Sequence, residues 1–297
     1  MIDFRMKTFL TVCKYMNFTR ASEVLHLTQP AVSQHIHYLE NLYETPLFIR
    51  DKKNLFLTDA GEILKNSLET LESDNNIMKK RMQKVMEGKK ILTFGVTMTV
   101  GEYAIIPALS NFLKSHPQLE VHICYNNTQT LLSQLREGTI DFAIVEGYFK
   151  ETLYTTRILQ RDPFIGVVAK NHHFSRPISC LRDLIGERLL LREHGSGTRA
   201  IFTKTLALHN LSVEDFPHIV EVENIHAIVS LLQEDCGISF LYKAAIKKEL
   251  ENGSLIEIPL KNFQISHDFS FIWNKESLFS QEYEKIFQEL KTYFPDV

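Results

Sequence analysis

The chain is short of cysteine, and the cysteines it has are not arranged for chemistry. Cys13, Cys124, Cys180 and Cys236 contain no C-x-x-C pair. That spacing offers no zinc site and no disulfide framework, so a reducing compartment is expected. A thiol redox sensor is disfavoured as well, since no cysteine has an evident resolving partner or a basic neighbourhood. No apolar run approaches the roughly 20 residues that a membrane-spanning helix needs. The first residues open an amphipathic helix containing Asp3 and Arg5 rather than a signal-peptide core. The expectation is a cytoplasmic protein with no membrane partner. Charge of one sign is lacking too. The net charge of −3 over 297 residues excludes a general nucleic-acid coat, so any DNA contact must be focused on one face. Metal and nucleophile patterns are also missing. His35 and His37, two apart on a helix, point away from each other, and His172-His173 lies in a polar loop. Ser196 sits in Gly-Ser-Gly without the spacing of a nucleophile elbow. No catalytic residue, metal site or cofactor is expected, and the chain does not read as an enzyme.

What is present is concentrated in residues 18–40. Thr19 precedes a short helical run over 20–25 and is a candidate N-cap. His26 and Leu27 make a turn. Thr28 is a second cap candidate, with Pro30 in the first turn, where its missing N–H does no harm. Val32, Ile36, Leu39 and Tyr43 then recur at spacings of four, three and four, so they share one face, which should be buried. The opposite face carries Gln29, Ser33, Gln34, His37 and Asn41. Gln and Asn can pair bidentately with adenine, and a small Ser lets a helix approach base edges. An earlier helix over 4–15, with Met6, Phe9, Leu10 and Cys13 on one stripe, should pack beneath. Residues 46–58 read as two apolar strands around a charged turn at 50–54. This is the shape of a β-wing, from which Lys52 and Lys53 would reach phosphates or the minor groove. A solvated hairpin with no partner is the alternative for that turn alone.

Residues 1–60 resemble the winged helix-turn-helix of the LysR-type transcriptional regulators. Phe18-Thr19, Ala21, Thr28-Gln29-Pro30-Ala31, Ser33, Ile36, Leu39-Glu40, Pro46-Leu47-Phe48, Arg50 and Leu57-Thr58-Asp59-Ala60-Gly61 carry the resemblance. It implies contacts to double-stranded operator DNA by Thr28, Gln29, Pro30, Ser33, Gln34, His37, Arg50, Lys52 and Lys53. Seven basic against six acidic residues leave this head at only +1. A single head should bind weakly and need a second copy on a two-part site.

From Thr58, another cap candidate, a proline-free run extends to Gly88. Leu64, Leu68, Leu71, Asn75, Met78, Met82 and Val85 follow one another at alternating spacings of four and three, the 3.5-residue period of a coiled coil. A stripe this narrow should pair with a copy of itself, Asn75 fixing register. A helix lying on its own C-terminal domain is the alternative. In the LysR type the corresponding segment dimerises, which implies a homodimer assembling to a homotetramer.

From Ile91 the texture becomes alternating strands and helices: strands over 91–96, 119–125 and 141–146, with helices over 101–115 and 128–137. A second set holds strands near 164–169, 188–191, 219–222 and 237–241, helices after 196 and 225, a strand over 269–273 and a last helix over 280–294. The βαβαβ order predicts a parallel sheet covered by helices, so the fold class is α/β. Two such units resemble a periplasmic-binding-protein-like effector domain of two lobes. The expected organisation is a DNA-binding head at 1–60, a linker helix at 58–88 and an effector domain at 91–297. Lobe I takes 91–162 and 268–297, and lobe II takes 163–267, with crossovers near 161–163 and 266–268.

Ligands of open sheets sit beyond the carboxyl ends of strands. The loops there are rich in hydroxyls and free amides, which suits an anion. The candidate contacts are Thr97, Met98, Thr99, Thr128, Glu146, Ser196, Thr198, Arg199, Glu223 and Asn224. Residues 97–103 and 191–199 resemble the LysR branch that regulates sulfur assimilation and carbon fixation, whose effectors are small anions or phosphorylated metabolites. Glu223 and Glu146 add negative charge, so an amine-bearing or zwitterionic effector stays open beside an anion. The alternatives are a cytosolic solute-binding or enzymatic α/β protein with a helical oligomerisation arm, and a regulator that needs no effector.

Overall fold

The computed structural model describes residues 3–52, 54–261 and 263–294. The first three helices form the head. α1 (Phe4–Tyr15) is capped by the Asp3 carboxylate and ends at Met16 in the left-handed region. α2 (Phe18–Leu25) is capped by Asn17, whose side-chain oxygen accepts from the Arg20 amide, and not by the expected Thr19. Asn is the better cap because its carbonyl reaches the second or third amide without a competing rotamer. α3 (Gln29–Leu42) is capped by the Thr28 hydroxyl, with Pro30 in its first turn. Val32, Ile36 and Leu39 are buried with Phe9, Val12, Ala21 and Leu47. Tyr43 departs from the expected face: it is the C-cap of α3 and exposed, since the helical period has ended there. Cys13 belongs to this core, and burial pushes its thiol up to about 12, which keeps it protonated and unreactive. β1 (Phe48–Asp51) and β2 (Asn54–Leu57) pair antiparallel from Phe48↔Leu57 to Asp51↔Asn54. Lys52 turns the chain between them at a φ of 55°.

α4 (Asp59–Met86) follows directly, its first turn capped by the Thr58 hydroxyl on the Gly61 amide at 2.9 Å. The effector domain begins with β3 (Lys90–Val96). The helix expected over 101–115 is two: α5 (Met98–Tyr103) and α6 (Ile106–Ser115). Pro107 sits in the first turn of α6, and a proline both removes an N–H and disfavours helix at the preceding residue, so the helix restarts. β4 (Leu119–Tyr125), α7 (Thr128–Arg136) and β5 (Phe142–Val145) complete the first βαβαβ run. β6 (Tyr154–Ala169) is sixteen residues long. Then come β7 (Leu189–Leu191), α8 (Gly197–Leu208), β8 (Ile219–Glu221), α9 (Ile225–Gln233), β9 (Ser239–Tyr242), α10 (Lys247–Asn252), β10 (Leu255–Glu257), β11 (Ile265–Asn274) and α11 (Ser280–Lys291).

The fold is the expected α/β effector domain of two lobes, but its sheet is mixed and not wholly parallel. β3 pairs in parallel with β4 and β5, and β7 with β8. β6 and β11 run antiparallel to each other over almost their whole length, from Ile265↔Phe164 to Asn274↔Tyr154. β11 stands between β6 and β5, and its second half pairs with β5, whereas the far end of β6 pairs with β9 and β10. These two strands tie both lobes into one unit. The cores on either side are aromatic: Phe142 stacks between Phe94 and Phe271, and Phe202 stacks on Phe240. Among the described residues no helix is long and apolar enough to cross a membrane.

Candidate functional site

The head presents the polar face of α3. Gln29, Gln34, His37 and Asn41 are exposed and Ser33 half-buried, opposite the Val32–Ile36–Leu39 stripe. Gln29 donates to the Ser33 hydroxyl at 2.9 Å, so the two side chains already share one patch. Beside them lies a groove of about 360 Å³ lined by Asn17, Phe18, Thr19, Gln29, Arg50 and Lys52. The Arg50 guanidinium lies 5.2 Å from the Phe18 ring centroid, which orients it along the groove. Thr28 and Pro30 open α3 at its edge. The structure therefore brings Gln29, Ser33, Gln34, His37, Arg50 and Lys52 to one side of the head. Lys53, also expected there, lies outside the described residues.

α4 has two working faces. One is polar and bolted to lobe I. The Ser73 hydroxyl donates to the Leu135 carbonyl at 2.8 Å and accepts from the Asn274 amide at 2.9 Å. Asp74 accepts from the Ser277 hydroxyl and the Leu278 amide, both at 2.7 Å. Lys80 donates to the Thr139 carbonyl at 3.0 Å, and Arg81 bridges Asp141 and Glu282 at 2.7 and 2.6 Å. The alternative of a helix lying on its own C-terminal domain is thus realised on this face. The other face carries Leu71, Met78, Met82 and Val85, exposed by 49, 44, 62 and 66%, with Asn75 half-buried between them. Two of the expected seam residues do not belong to it. Leu68 is only 2% exposed and Leu64 half-buried, because both pack into the core of the head. A heptad pattern cannot distinguish a helix's own domain from a second chain as the cover for its first two turns.

The interlobe site differs from the open cradle that the hydroxyls imply. β3 and β5 end side by side, and the hydroxyls of Thr97, Thr99 and Thr198 all donate to one group, the Glu146 carboxyl. The Thr99 and Thr198 bonds are 3.4 and 3.3 Å. Thr128 donates to the Glu146 carbonyl at 2.9 Å. Glu146 is 2% exposed, and burial raises its carboxyl above the usual range against the pull of Thr97 and the Arg192 guanidinium. Thr97, Thr99, Thr128, Ser196 and Thr198 are buried with it. Ser196 caps α8. The approach is close enough to need glycine on both sides. A Cβ on Gly197 would lie 2.2 Å from the Glu146 carbonyl, and one on Gly147, at a φ of +93°, would lie 2.5 Å from the Gly197 Cα.

Arg199 does not join this cluster. Its guanidinium is held by Glu221, by the Arg192 carbonyl at 2.9 Å and by His194 at 3.0 Å. It lines a separate cavity of about 670 Å³ with Tyr148 and Lys204. The open space nearest the strand ends is a cavity of about 490 Å³ walled by Met98, Asn126, Asn127, Arg192, Glu223 and Asn224, among others. Three of these, Met98, Glu223 and Asn224, were expected; Arg192 was not. Arg192 is 3% exposed and gives Nε and Nη2 to Glu193 at 2.8 and 3.1 Å, while its Nη1 is buried with no hydrogen-bond partner among the described residues. Its signal in the sequence is an arginine directly after the apolar strand Leu189–Leu191, where a side chain must face the strand-end crevice.

A family model described as the LysR substrate binding domain matches residues 87–295, and one described as a bacterial regulatory helix-turn-helix protein of the lysR family matches residues 4–62. The HTH-type transcriptional regulator CbbR of Rhodospirillum rubrum is 30% identical over 268 residues, covering 89% of this chain and 87% of its own. The HTH-type transcriptional regulator CysL of Bacillus subtilis is 26% identical over 272 residues, covering 90% and 89%. Among solved structures, the regulatory domain of Synechocystis PCC6803 CcmR in complex with 2-PG superposes with a TM-score of 0.62 at 19% identity, over 70% of this chain and 99% of that one.

Proposed function

The chain belongs to the LysR family of transcriptional regulators, and on that premise we propose that it is a cytoplasmic homodimer, assembling to a tetramer, that reads an operator and answers to a small metabolite bearing an anionic group. Residues 1–60 form the DNA-binding head, residues 58–88 the dimerising linker, and residues 91–297 the two-lobed effector domain. Thr28, Gln29, Pro30, Ser33, Gln34 and His37 face the major groove, and Arg50, Lys52 and Lys53 hold phosphates beside it. The exposed Leu71–Val85 stripe of α4 meets its copy. The metabolite enters the cavity of about 490 Å³ between the lobes.

The observation that carries the effector reading is Arg192 in the wall of that cavity, whose buried Nη1 has no hydrogen-bond partner among the described residues. A buried guanidinium N–H left unpaired is costly, and an acidic group of a ligand would satisfy it. Glu221 and Glu223 on the same wall would accept from hydroxyl or amine groups elsewhere on the ligand. A ligand moves the lobes only by binding one arrangement better than the other. The test is calorimetric titration of sulfite and phosphorylated sugars into wild type and Arg192→Met, paired with footprinting on the DNA upstream of the coding region. Arg192→Met should lose the binding and the footprint change while keeping unliganded operator affinity. Normal binding and response in Arg192→Met would move the site elsewhere.

A further inference from the structure

We propose that Glu146 is a tethered occupant of the hydroxyl cradle: its side chain holds the position against Thr97, Thr99 and Thr198 that a small inorganic oxyanion would otherwise take, and so excludes such ions from the point where the lobes meet. If the cleft is the effector site as read above, the same residue decides that a ligand's acidic group must lie outside the cradle, at Arg192.

Thr97 stands in the N-cap position of α5, yet its hydroxyl makes no bond to its own helix and donates to Glu146 instead. Thr99 and Thr198 come from opposite lobes and converge on the other carboxyl oxygen. The N-termini of α7 and α8 close on the backbone of the same residue: Thr128 donates to the Glu146 carbonyl, and a Cβ on Gly197 would strike it. Hydroxyl donors and helix N-termini around one buried point make the chemistry of an oxyanion site. The unpartnered Nη1 of Arg192, whose guanidinium acts on Glu146, adds a second and independent donor that is left over. Each hydroxyl has one proton to give, and all three are given to Glu146. A sulfate or phosphate would need those donors and that volume, and it could not share either with a carboxyl group.

The bonds also join the lobes. Glu146 directly follows β5, and Thr198 lies at the start of α8. A free ion in this position would bridge the lobes only while bound. A side chain bridges them at all times, so closure at this point does not depend on any inorganic anion in the medium.

The experiment uses the full-length protein with inorganic sulfate and phosphate as probes. Wild type and Glu146→Gln, whose amide keeps the shape, should give no heat of binding for either ion that depends on Thr97 and Thr198. Glu146→Ala should bind at least one of them tenfold or more tightly than wild type does. Adding Thr97→Val and Thr198→Val to Glu146→Ala should abolish the gained binding. Thermal unfolding covers the case in which Glu146→Ala is too unstable for calorimetry. At matched ionic strength, sulfate in place of chloride should raise the Tm of Glu146→Ala by more than it raises that of wild type, whose shift measures the general salting effect. Specific sulfate binding by wild type at Thr97 and Thr198, or equal sulfate responses in wild type and Glu146→Ala, would overturn the proposal. Neither result bears on Arg192, so this proposal and the effector reading fail separately.

Discussion

Glu146 and Asp141 bracket the same strand. Between them run only the four residues of β5, Phe142–Val145, all buried. One carboxyl faces the hydroxyls at the lobe interface, and the other accepts from Arg81 of the linker helix at 2.7 Å. Asp141 is anchored further by the Thr93 amide at 2.8 Å and the Tyr283 hydroxyl at 3.2 Å. Phe142 is stacked on both sides, so the strand is braced by packing and not only by its ladder. Close-packed interiors pass displacement on rather than absorbing it. One short buried strand therefore joins the lobe interface to α4, a route along which a shift at the interface would reach the helix.

The first prediction tests that route. Arg81→Ala leaves Asp141, 7% exposed, without its cation. Removing one partner of a buried pair costs about 3–5 kcal/mol, and the remaining Thr93 and Tyr283 bonds should hold the loss to the lower end. Denaturant unfolding measures it. The same variant should bind operator as a dimer yet show a weaker footprint change with any active effector. A footprint response equal to that of wild type would break the link between the strand and the linker.

The head gives a second prediction. Gln29→Ala should cost about 1–3 kcal/mol on the cognate operator and little on random DNA. Lys52→Ala should weaken both and reduce the salt slope by about one. Mobility-shift titrations across a salt series separate the two, and equal losses on both DNAs for Gln29→Ala would remove its base-reading role.

The linker gives a third. Leu71→Asp places a charge in the exposed stripe of α4, on the face turned away from lobe I, so the fold of the monomer should survive while the dimer does not. Asn75→Leu should raise the thermal stability of the assembly and loosen its choice of partner number. Sedimentation velocity at micromolar concentration reads both. Intact dimers for Leu71→Asp would place the seam on another surface.

Much of this architecture is legible in the chain because its signals are local. The Thr28 and Thr58 caps, the Val32–Ile36–Leu39 period and the wing strands all depend on neighbours within a turn or a hairpin. The first half of β6 was not legible. Tyr154 to Pro163 is mostly polar, with Ile158 and Leu159 its only aliphatic side chains, because this half of the strand is partly exposed, and such a segment lacks the apolar run of the inner strands. Leu64 and Leu68 fit a heptad equally well whether the cover is the head or a second chain. The cradle shows the same limit at a finer scale. Its hydroxyls can be read from the strand ends, but whether they hold a ligand or a side chain depends on where Glu146 points. Sequence spacing carries no record of that direction, nor of the leftover N–H on Arg192.

The last prediction concerns pH. Burial raises the Glu146 carboxyl above its ordinary value of 4.5, and the Thr97 hydroxyl and Arg192 offset this only in part. The folded chain therefore holds the proton more tightly than the unfolded chain does. Below the unfolded value both states are protonated, and this residue adds no pH dependence. As pH rises past 4.5 the unfolded chain ionises first, so stability falls until the folded value is reached and is level beyond it. Each tenfold difference in proton affinity between the two states is worth about 1.4 kcal/mol of that fall. Glu146→Gln keeps the shape and loses the titration. Asp141, Asp162 and Glu69 are raised by burial too, but they are present in both proteins and cancel in the comparison. The Tm of Glu146→Gln minus that of wild type should thus increase from pH 4.5 upward and then level off. Differential scanning calorimetry across that range measures it. A difference that stays constant, or that shrinks as pH rises, would mean that the carboxyl is as well solvated in the folded chain as in the unfolded one, which its burial among three hydroxyls and two glycines does not allow.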